Sequence, residues 1–473
     1  MPREDHEDDG AGIPARLDRL PWTPRHWVLV GALGAGWVLD GLQVTIAGAI
    51  APALQYTQTL ALTPQEIGLA ASSYVAGAVL GALAFGMLAD RFGRRRIFYL
   101  TLGLSLLGMV ASGLAVGFMS FAIARAITGG GIGGEYAAIN SAVDEWVPAR
   151  LRGRINLAVN GSYWLGAALG AAVSIVLLDT RWFPITLGWR IGCASGGVLG
   201  LGVLFARRSV PESPRWLVQH GRVAEAARLV RAMEDAAARW TGQALPPPRP
   251  PAPAPRRMPG PLPGRLRLLL GRYRRRSALA FLLMTAQAFL FNAVFFTYGL
   301  VLSRFYGIAD RLTGRYLLAF CLSNLLGPLV LGRFFDSIGR RRMLAVSFGA
   351  AGTLLLVVTL LFLIGVLSAW AQTLGWMAVF FFASAAASAA YLTASEIFPL
   401  AMRGFALALF FALGTLIGGV AGPALYGRLI AHAGRVPLAE GYALAAALML
   451  LAALAAARLG VDAEGKSLET VSE

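Results

Sequence analysis

Charge is scarce in this chain of 473 residues: 14% are Asp, Glu, Lys or Arg, where a soluble domain carries roughly a quarter. Hydrophobic residues make up 57% and mean hydropathy is +0.62, which argues against an ordinary cytosolic enzyme and for a bilayer as solvent. Lysine is almost missing. Lys466 is the only one, so the formal charge of +17 rests on arginine. The arginines fall in short clusters between apolar stretches, the pattern of loops held on one side of a membrane rather than of a nucleic-acid surface. The two cysteines, Cys193 and Cys321, lie far apart within apolar stretches and suggest neither a disulfide framework nor a thiolate metal site. His6, His26, His220 and His432 sit at ends or in loops, without metal-ligand spacing or a nucleophile motif nearby. Enzyme chemistry is therefore not expected, and neither is a metal or a cofactor. No cleavable signal opens the chain: Met1 to Gly10 is acidic, so the first apolar stretch is expected to direct insertion itself.

What is present is a series of apolar runs long enough to cross a bilayer, each near the ~20 residues a spanning helix needs. They fall near 27–54, 67–89, 97–118, 120–144, 155–178 and 190–206, then near 277–303, 313–335, 343–367, 373–395, 405–430 and 441–460. The expected fold is an all-α integral membrane protein of twelve helices in two pseudo-symmetric bundles of six. The domain reading is a cytoplasmic tail over 1–26, one bundle over 27–206, a cytoplasmic central loop over 207–276, a second bundle over 277–460 and a cytoplasmic tail over 461–473. With both termini inside, the opposite loops hold only Arg181, Arg190, Arg304, Arg311, Arg315, Arg428 and Arg435 of the 42 basic residues, and Arg125 lies within a span. That bias places the termini in the cytoplasm of a cell whose inner membrane holds the protein. The central loop reads as an amphipathic helix from Arg222 to Trp240, a proline-rich tract from Leu245 to Gly264 and a basic run from Arg265 to Arg276. The tract suits a semi-rigid linker or an SH3-type ligand, and the basic run suits the anionic inner leaflet.

An internal repeat supports the two halves. After the second span stands Gly86-x3-Asp90-Arg91-x-Gly93-Arg94-Arg95-Arg96, and after the eighth Gly332-x3-Asp336-x2-Gly339-Arg340-Arg341-Arg342. After the fourth stands Glu145-x2-Pro148-x3-Arg152-Gly153, and after the tenth Glu396-x2-Pro399-x3-Arg403-Gly404. Two patterns recurring in one order at nearly one separation imply parallel halves related by an axis along the membrane normal, as in transporters that bind substrate at mid-membrane between them. The glycines permit positive φ and close approach in very short turns. One reading is a plain positive-inside turn. The other is a cytoplasmic latch built from Gly86, Asp90, Arg91, Gly93, Arg94, Asp336, Gly339 and Arg340, with Glu145 facing Arg152 and Glu396 facing Arg403.

Within the spans, ionisable residues are costly, at about 2.5–3.5 kcal/mol each on insertion scales. Asp40 lies in the first span, and Arg125, Glu135 and Asp144 lie in the fourth. Their depths let Asp40 and Arg125 meet in a central cavity, either to tie two helices together or to serve transport; Asp144, near the cytoplasmic end, fits the latch. The run Gly129-Gly130-Gly131-Ile132-Gly133-Gly134 admits a neighbouring helix closely.

These residues together resemble the major facilitator superfamily, in its sugar-porter and metabolite:proton symporter branch. The resemblance rests on the two Gly-x3-Asp-x2-Gly-Arg-Arg loops and on Arg125-x3-Gly129-x-Gly131-x-Gly133-Gly134-Glu135. Gly188-Trp189-Arg190 and Pro211-Glu212-Ser213-Pro214-Arg215-Trp216-Leu217 add to it. It implies that Asp40 pairs with Arg125 and that protonation of the Asp is coupled to substrate movement, with Glu135 in the same proton-coupling set. Gln287 and Asn292 are similar to the sugar-binding Gln and Asn of sugar porters, whereas Ala286 stands for a usual Gln and Tyr391 for a usual Trp. Asp40-Gly41 and the Gly-Gly-Glu at Glu135 are closer to organic-acid symporters, although Gln43 replaces their second Asp. Asn160, Tyr163 and Trp164 in span five, Gln287 and Asn292 in span seven, Asn324 in span eight and Tyr391 in span ten are candidate substrate-lining residues; each could equally serve an interhelical hydrogen bond or an interface belt. The expected function is proton-driven symport of a small organic acid, sugar or polyol by alternating access, in a monomer whose partners are substrate, protons and lipid. An uncoupled facilitator or a non-transporting nutrient sensor would share the fold.

Overall fold

The computed structural model describes residues 12–206, 208, 211–247, 262–398, 400–432 and 434–460; within those ranges the side chains of Asp90, Asp144, Arg152, Asp336, Glu396 and Arg403 lie outside the described set. Most of the proline-rich tract and the residues after Gly460 also lie outside it. Every regular element among the described residues is helical, as hydrocarbon demands, since a spanning helix satisfies its own backbone polar groups.

The first half comprises α2 (Pro24–Ile50), α3 (Pro64–Phe92), α4 (Arg94–Gly113), α5 (Phe118–Trp146), α6 (Ala149–Leu177) and α7 (Ile185–Ala206). The second comprises α11 (Arg274–Tyr306), α12 (Asp310–Ser337), α13 (Arg340–Leu363), α14 (Ala369–Glu396), the sixth-span helix α17 (Arg435–Leu459) and, between them, a fifth span built from α15 (Leu400–Gly414), a π-helical segment Thr415–Val420 and α16 (Ala421–Ala431). Before and between the halves lie α1 (Ile13–Asp18), α8 (Pro214–Gln219), α9 (Val223–Thr241) and α10 (Leu262–Leu270). Eleven of these spans are long and apolar enough to cross a membrane by composition alone. The exception is α5, as long as its neighbours at 29 residues, in which Arg125, Glu135 and the glycine run dilute the hydropathy. The helices generally begin a few residues before the apolar runs, because polar caps start them: Pro64 at the first position and a Thr63/Glu66 capping box open α3.

The two halves repeat one packing scheme. In the first, α3 packs on α5, α5 on α4, and α4 on α7; in the second, α12 packs on α14, α14 on α13, and α13 on α17. The first helix of each half is the central one: α2 and α11 are each 78% buried over their apolar stretch, against 33% for α6 and α12. The remaining faces carry exposed Leu80, Met87, Leu107, Leu201, Leu329 and Leu360, a surface that aggregates in water but is at rest against acyl chains.

Both halves present their ends to the same side, so the central segment and both termini share one end of the bundle. At the far end the halves cross at glycines. An added Cβ at Gly48 of α2 would lie 2.2 Å from the Phe295 carbonyl oxygen of α11; one at Gly68 of α3, 2.3 Å from that of Pro423; and one at Gly314 of α12, 2.5 Å from that of Ala171 of α6. Ser72 Oγ also donates to the Val420 carbonyl at 2.7 Å. These contacts hold the halves together at the far end.

On the terminal side, α1, α8 and α9 form a small cluster. Ile13, Leu17 and Leu20 pack on Trp216, Leu217, Ala227 and Val230, and α9 covers the amphipathic segment expected from Arg222 to Trp240 almost residue for residue. Glu234 of α9 accepts from Arg16 at 2.7 Å and from Arg19 at 2.5 Å. Burial pushes its carboxyl up, but the two arginines outweigh burial and hold it below its ordinary value of 4.5.

Two outcomes follow from this packing. Because the Glu234 carboxylate binds its proton less readily when folded, the stabilisation is complete above the ordinary value and is lost as pH falls through the folded one. Amide-exchange protection of residues 13–20 is therefore expected to fall once pH drops below the ordinary 4.5, and in Glu234→Gln to be weak already at neutral pH. Gly48→Leu, which inserts a side chain into the far-end crossing, is expected to leave the protein folded by thermal melting yet abolish transport; a wild-type rate would show that the crossing is dispensable.

Candidate functional site

The glycine run of α5 builds the site. An added Cβ at Gly129 would lie 1.9 Å from the Tyr74 carbonyl oxygen, and one at Gly133 1.8 Å from that of Ala78. Backbone-to-backbone contact of this kind occurs only where small residues allow it, and it confirms the close approach read from the run. The consequence is that Tyr74 of α3 lies directly beside Arg125 of α5.

Asp40, Tyr74, Arg125 and Glu135 are all buried, with exposures of 2, 5, 2 and 3%. The Tyr74 hydroxyl donates to Asp40 Oδ1, and the Arg125 guanidinium lies 4.5 Å from the centre of the Tyr74 ring, a cation–π placement. Asp40, ten residues from the end of α2, lies about 15 Å from the far end at 1.5 Å per residue. A direct ion pair between Asp40 and Arg125, as implied by the family pattern, is not formed: Tyr74 stands between the two charges and contacts each, one through its hydroxyl and the other through its ring. Arg125 Nη2 has no hydrogen-bond partner among the described residues. Glu135 is close enough to Asp40 to interact with it electrostatically.

Next to this group lies a tier of aromatic rings. Trp37 of α2 and Tyr136 of α5 stack at 4.1 Å and 11°, Tyr163 of α6 meets Trp37 edge-on at 6.5 Å, and Trp164 meets Tyr163 edge-on at 5.0 Å. Trp164 then reaches across to Phe291 and Phe295 of α11, at 5.9 and 5.5 Å, joining the halves through rings. Trp37, Tyr136, Tyr163, Trp164 and Phe291 are all partly exposed.

The candidate lining residues separate into three groups. Tyr163 and Trp164 belong to the aromatic tier, with Asn160 a turn away on α6 and partly exposed. Gln287 is brought to Tyr391 of α14, whose hydroxyl approaches its amide; Tyr391 itself is 38% exposed. Asn292 is partly exposed and donates to its own helix at Ala288. Asn324, by contrast, is fully buried between α12 and α14, donating to the Phe320 carbonyl while its own carbonyl accepts from Ser384. Gln43, noted where relatives carry an Asp, is buried against Gly196 of α7. Tyr74, Trp37 and Tyr136 were missed from sequence. Trp37 could have been found three residues before Asp40, on the same helix face, and Tyr136 next to Glu135; nothing local marks Tyr74.

A cavity of about 570 Å³ lies elsewhere. It is lined by Gly34, Val38 and Leu42 of α2 with Val159 of α6 and Leu199 of α7, and Ser162 supplies its one hydroxyl side chain. It uses the face of α2 turned away from Asp40 and is apolar, so it offers nothing to a polar solute.

The terminal-side turns are built as the repeat predicts. Gly93 and Gly339 take φ of +95° and +110°, the region in which a side chain is strained. Glu145 is ion-paired at 3.0 Å to Arg94, because the short α3–α4 turn brings the first residue of α4 to the end of α5. Glu212 accepts from the backbone N–H groups of Arg94 at 2.9 Å and Arg95 at 3.3 Å, placing a carboxylate at the positive end of α4. Gly86 and Arg340 are partly buried and Arg91 is exposed, whereas the side chains of Asp90, Arg152, Asp336, Glu396 and Arg403 lie outside the described set.

Comparison with known proteins agrees with this architecture. The chain is 28% identical over 461 residues to the niacin transporter NiaP of Acinetobacter baylyi, covering 97% of this chain and 99% of the relative. It is 32% identical over 222 residues to the 4-hydroxybenzoate transporter PcaK of Pseudomonas aeruginosa, about half of each chain at 46% and 48%. The inward open structure of the xylose transporter XylE from E. coli superimposes with a TM-score of 0.72 at 20% identity, covering 94% of this chain and 98% of that one, a likeness of fold. Residues 35–473 match the family described as "Sugar (and other) transporter". The chain belongs to that family, in the sugar-porter branch of the major facilitator superfamily, and is a multi-pass membrane transporter of small metabolites.

Proposed function

We propose that the protein is a proton-coupled symporter of small planar carboxylates, working by alternating access as a monomer in the cell inner membrane with both termini cytoplasmic. The observation that carries this reading is the buried Asp40–Tyr74–Arg125 group beside a tier of partly exposed aromatic rings between the halves. An acid and a base kept in hydrocarbon cost several kcal/mol, and a role in moving charge accounts for that cost. Asp40 supplies the proton site. Arg125, with Nη2 unengaged, supplies the counter-charge for a substrate carboxylate once Asp40 is protonated. Trp37, Tyr136, Tyr163 and Trp164 supply faces on which a flat ring stacks, each contact worth about 0.5–1.5 kcal/mol beyond burial.

The names of the relatives point the same way, since niacin and 4-hydroxybenzoate are both ring carboxylates. The arginine bias supports a cytoplasmic terminal end, with the glycine crossings on the outer side. The glycine turns with their arginines act as the latch that closes the terminal end in one state of the cycle, and the Arg94–Glu145 and Glu212 contacts keep the first-half turn rigid. A second reading, a sugar or polyol as substrate, is favoured by the Gln287–Tyr391 approach beside Asn292, which offers amides and a phenol to hydroxyls.

Proteoliposomes loaded at neutral pH and diluted into acid medium test both. Labelled nicotinate and 4-hydroxybenzoate are expected to accumulate above equilibrium and a hexose is not; the reverse order would select the second reading. Asp40→Asn is expected to abolish accumulation while preserving exchange, and accumulation that persists would sink the coupling role. Trp37→Ala should raise KM for the aromatic acid by about tenfold, the equivalent of the stacking energy, at near-normal maximal rate.

A further inference from the structure

Tyr74 occupies a position that the coupling role of Asp40 and Arg125 does not by itself explain. It is nearly fully buried, and three helices converge on it. From α2, Asp40 accepts its hydroxyl proton in a hydrogen bond. From α5, Arg125 covers its ring face at 4.5 Å. From α11, in the opposite half, Phe296 meets it edge to face, with centroids 5.7 Å apart at 61°. It thus joins the carboxylate, the cation and the other half through one rigid side chain.

Resting on the proton-coupled reading above, we infer that Tyr74 is the positioning residue that transmits the charge state of Asp40 to the contact between the halves. With Asp40 ionised, the hydroxyl donates to a full negative charge, roughly twice as strong a bond as one to a neutral acceptor. That bond fixes the ring against Phe296 and beneath Arg125. With Asp40 protonated, the acceptor is neutral and the bond weakens, the ring is no longer pinned, and the edge contact across the halves loosens together with the hold on Arg125. The proton moves from solvent to the Asp40 carboxylate and back; no covalent bond of Tyr74 changes. The hydroxyl also explains why Asp40 and Arg125 remain separate at this depth: it occupies the place where a direct ion pair would otherwise close, a pair that would be costly to open again in hydrocarbon.

The other charged or titratable groups facing this cluster are Glu135 of α5 and Tyr163 of α6, both near Asp40, and Cys193 of α7 near Arg125. Tyr74 alone is seen to bond to Asp40 and to meet a ring of α11, so the inter-half signal is assigned to it.

The test needs no substrate. The full-length protein carrying Phe92→Cys and Ser337→Cys, at the exposed terminal-side ends of α3 and α12, is spin-labelled in lipid nanodiscs; Cys193 and Cys321 are buried and stay unlabelled. The label-to-label distance distribution is then recorded from pH 5 to pH 9, a span of about two units either side of neutrality chosen to bracket shifted carboxylates. The distribution of the otherwise unchanged protein is expected to shift with pH about one midpoint, and Asp40→Asn to make it flat. Tyr74→Phe keeps the ring and removes the hydroxyl, so its midpoint is expected to rise by about one pH unit, a tenfold change in proton affinity, because the carboxylate loses a donor that favours its charged form. Phe296→Leu is expected to leave the midpoint in place and reduce the amplitude, and it decides the matter from the other half should Tyr74→Phe fail to fold. A Tyr74→Phe response identical to the parent, beside a flat Asp40→Asn, overturns the inference and leaves proton coupling standing. A response that survives in Asp40→Asn, or that disappears instead in Glu135→Gln, overturns both.

Discussion

A carboxylate and a guanidinium held near mid-membrane set the terms for the rest of this molecule. Hydrocarbon gives neither charge any water, so each must find its compensation in protein, and a direct ion pair would be the cheapest compensation available. The structure does not take that course. It inserts a tyrosine, which meets Asp40 through its hydroxyl and Arg125 through its ring. Each charge meets a neutral partner, and neither is locked to the other. A transporter that must change its charge state in every cycle needs an arrangement that is satisfied yet reversible, and an intervening neutral side chain provides one.

That arrangement is possible only because backbones come unusually close. The glycines of α5 bring α3 within contact of it, and Gly48, Gly68 and Gly314 let the halves cross at the far end. In lipid there is no hydrophobic drive to press helices together, so dense packing through small residues does that work. The glycine-lined crossings between the halves therefore belong to the machinery of motion, since two halves that meet at bare backbone can separate without extracting large side chains from each other. The aromatic contacts between Trp164 and Phe291 and Phe295 add grip at the level of the site.

The terminal side shows how a short segment acquires structure from its neighbours. The six residues of α1 are too few to be helical alone, yet they bury Ile13 and Leu17 against α8 and α9 and tie Arg16 to Glu234. Glu212 meanwhile bonds to the N-terminus of α4. The central segment is thus fastened to the first half at two places, and the turn that carries Arg94 is held from both sides.

Much of this was readable in the chain. The twelve spans, the duplication, the positive φ at Gly93 and Gly339, the close approach at the glycine run and the presence of buried charge at Asp40, Arg125 and Glu135 all follow from composition, spacing and the price of burying polar groups, which are local or periodic properties. Which side chains meet is another matter. Tyr74 is an unremarkable residue within an apolar run, and its partners lie on α2, α5 and α11, up to more than two hundred positions away in the chain. Glu145 is paired with Arg94, 51 positions away in the chain, and Asn324, polar in an apolar helix like the lining candidates, ends up sealed between α12 and α14. Helix rotation and crossing decide such pairings, and these emerge only when all the helices pack at once. Sequence therefore determined that charge would be buried in a duplicated helical bundle; the tertiary structure alone decided that a tyrosine would stand between the charges, because only packed helices bring three distant faces to one point.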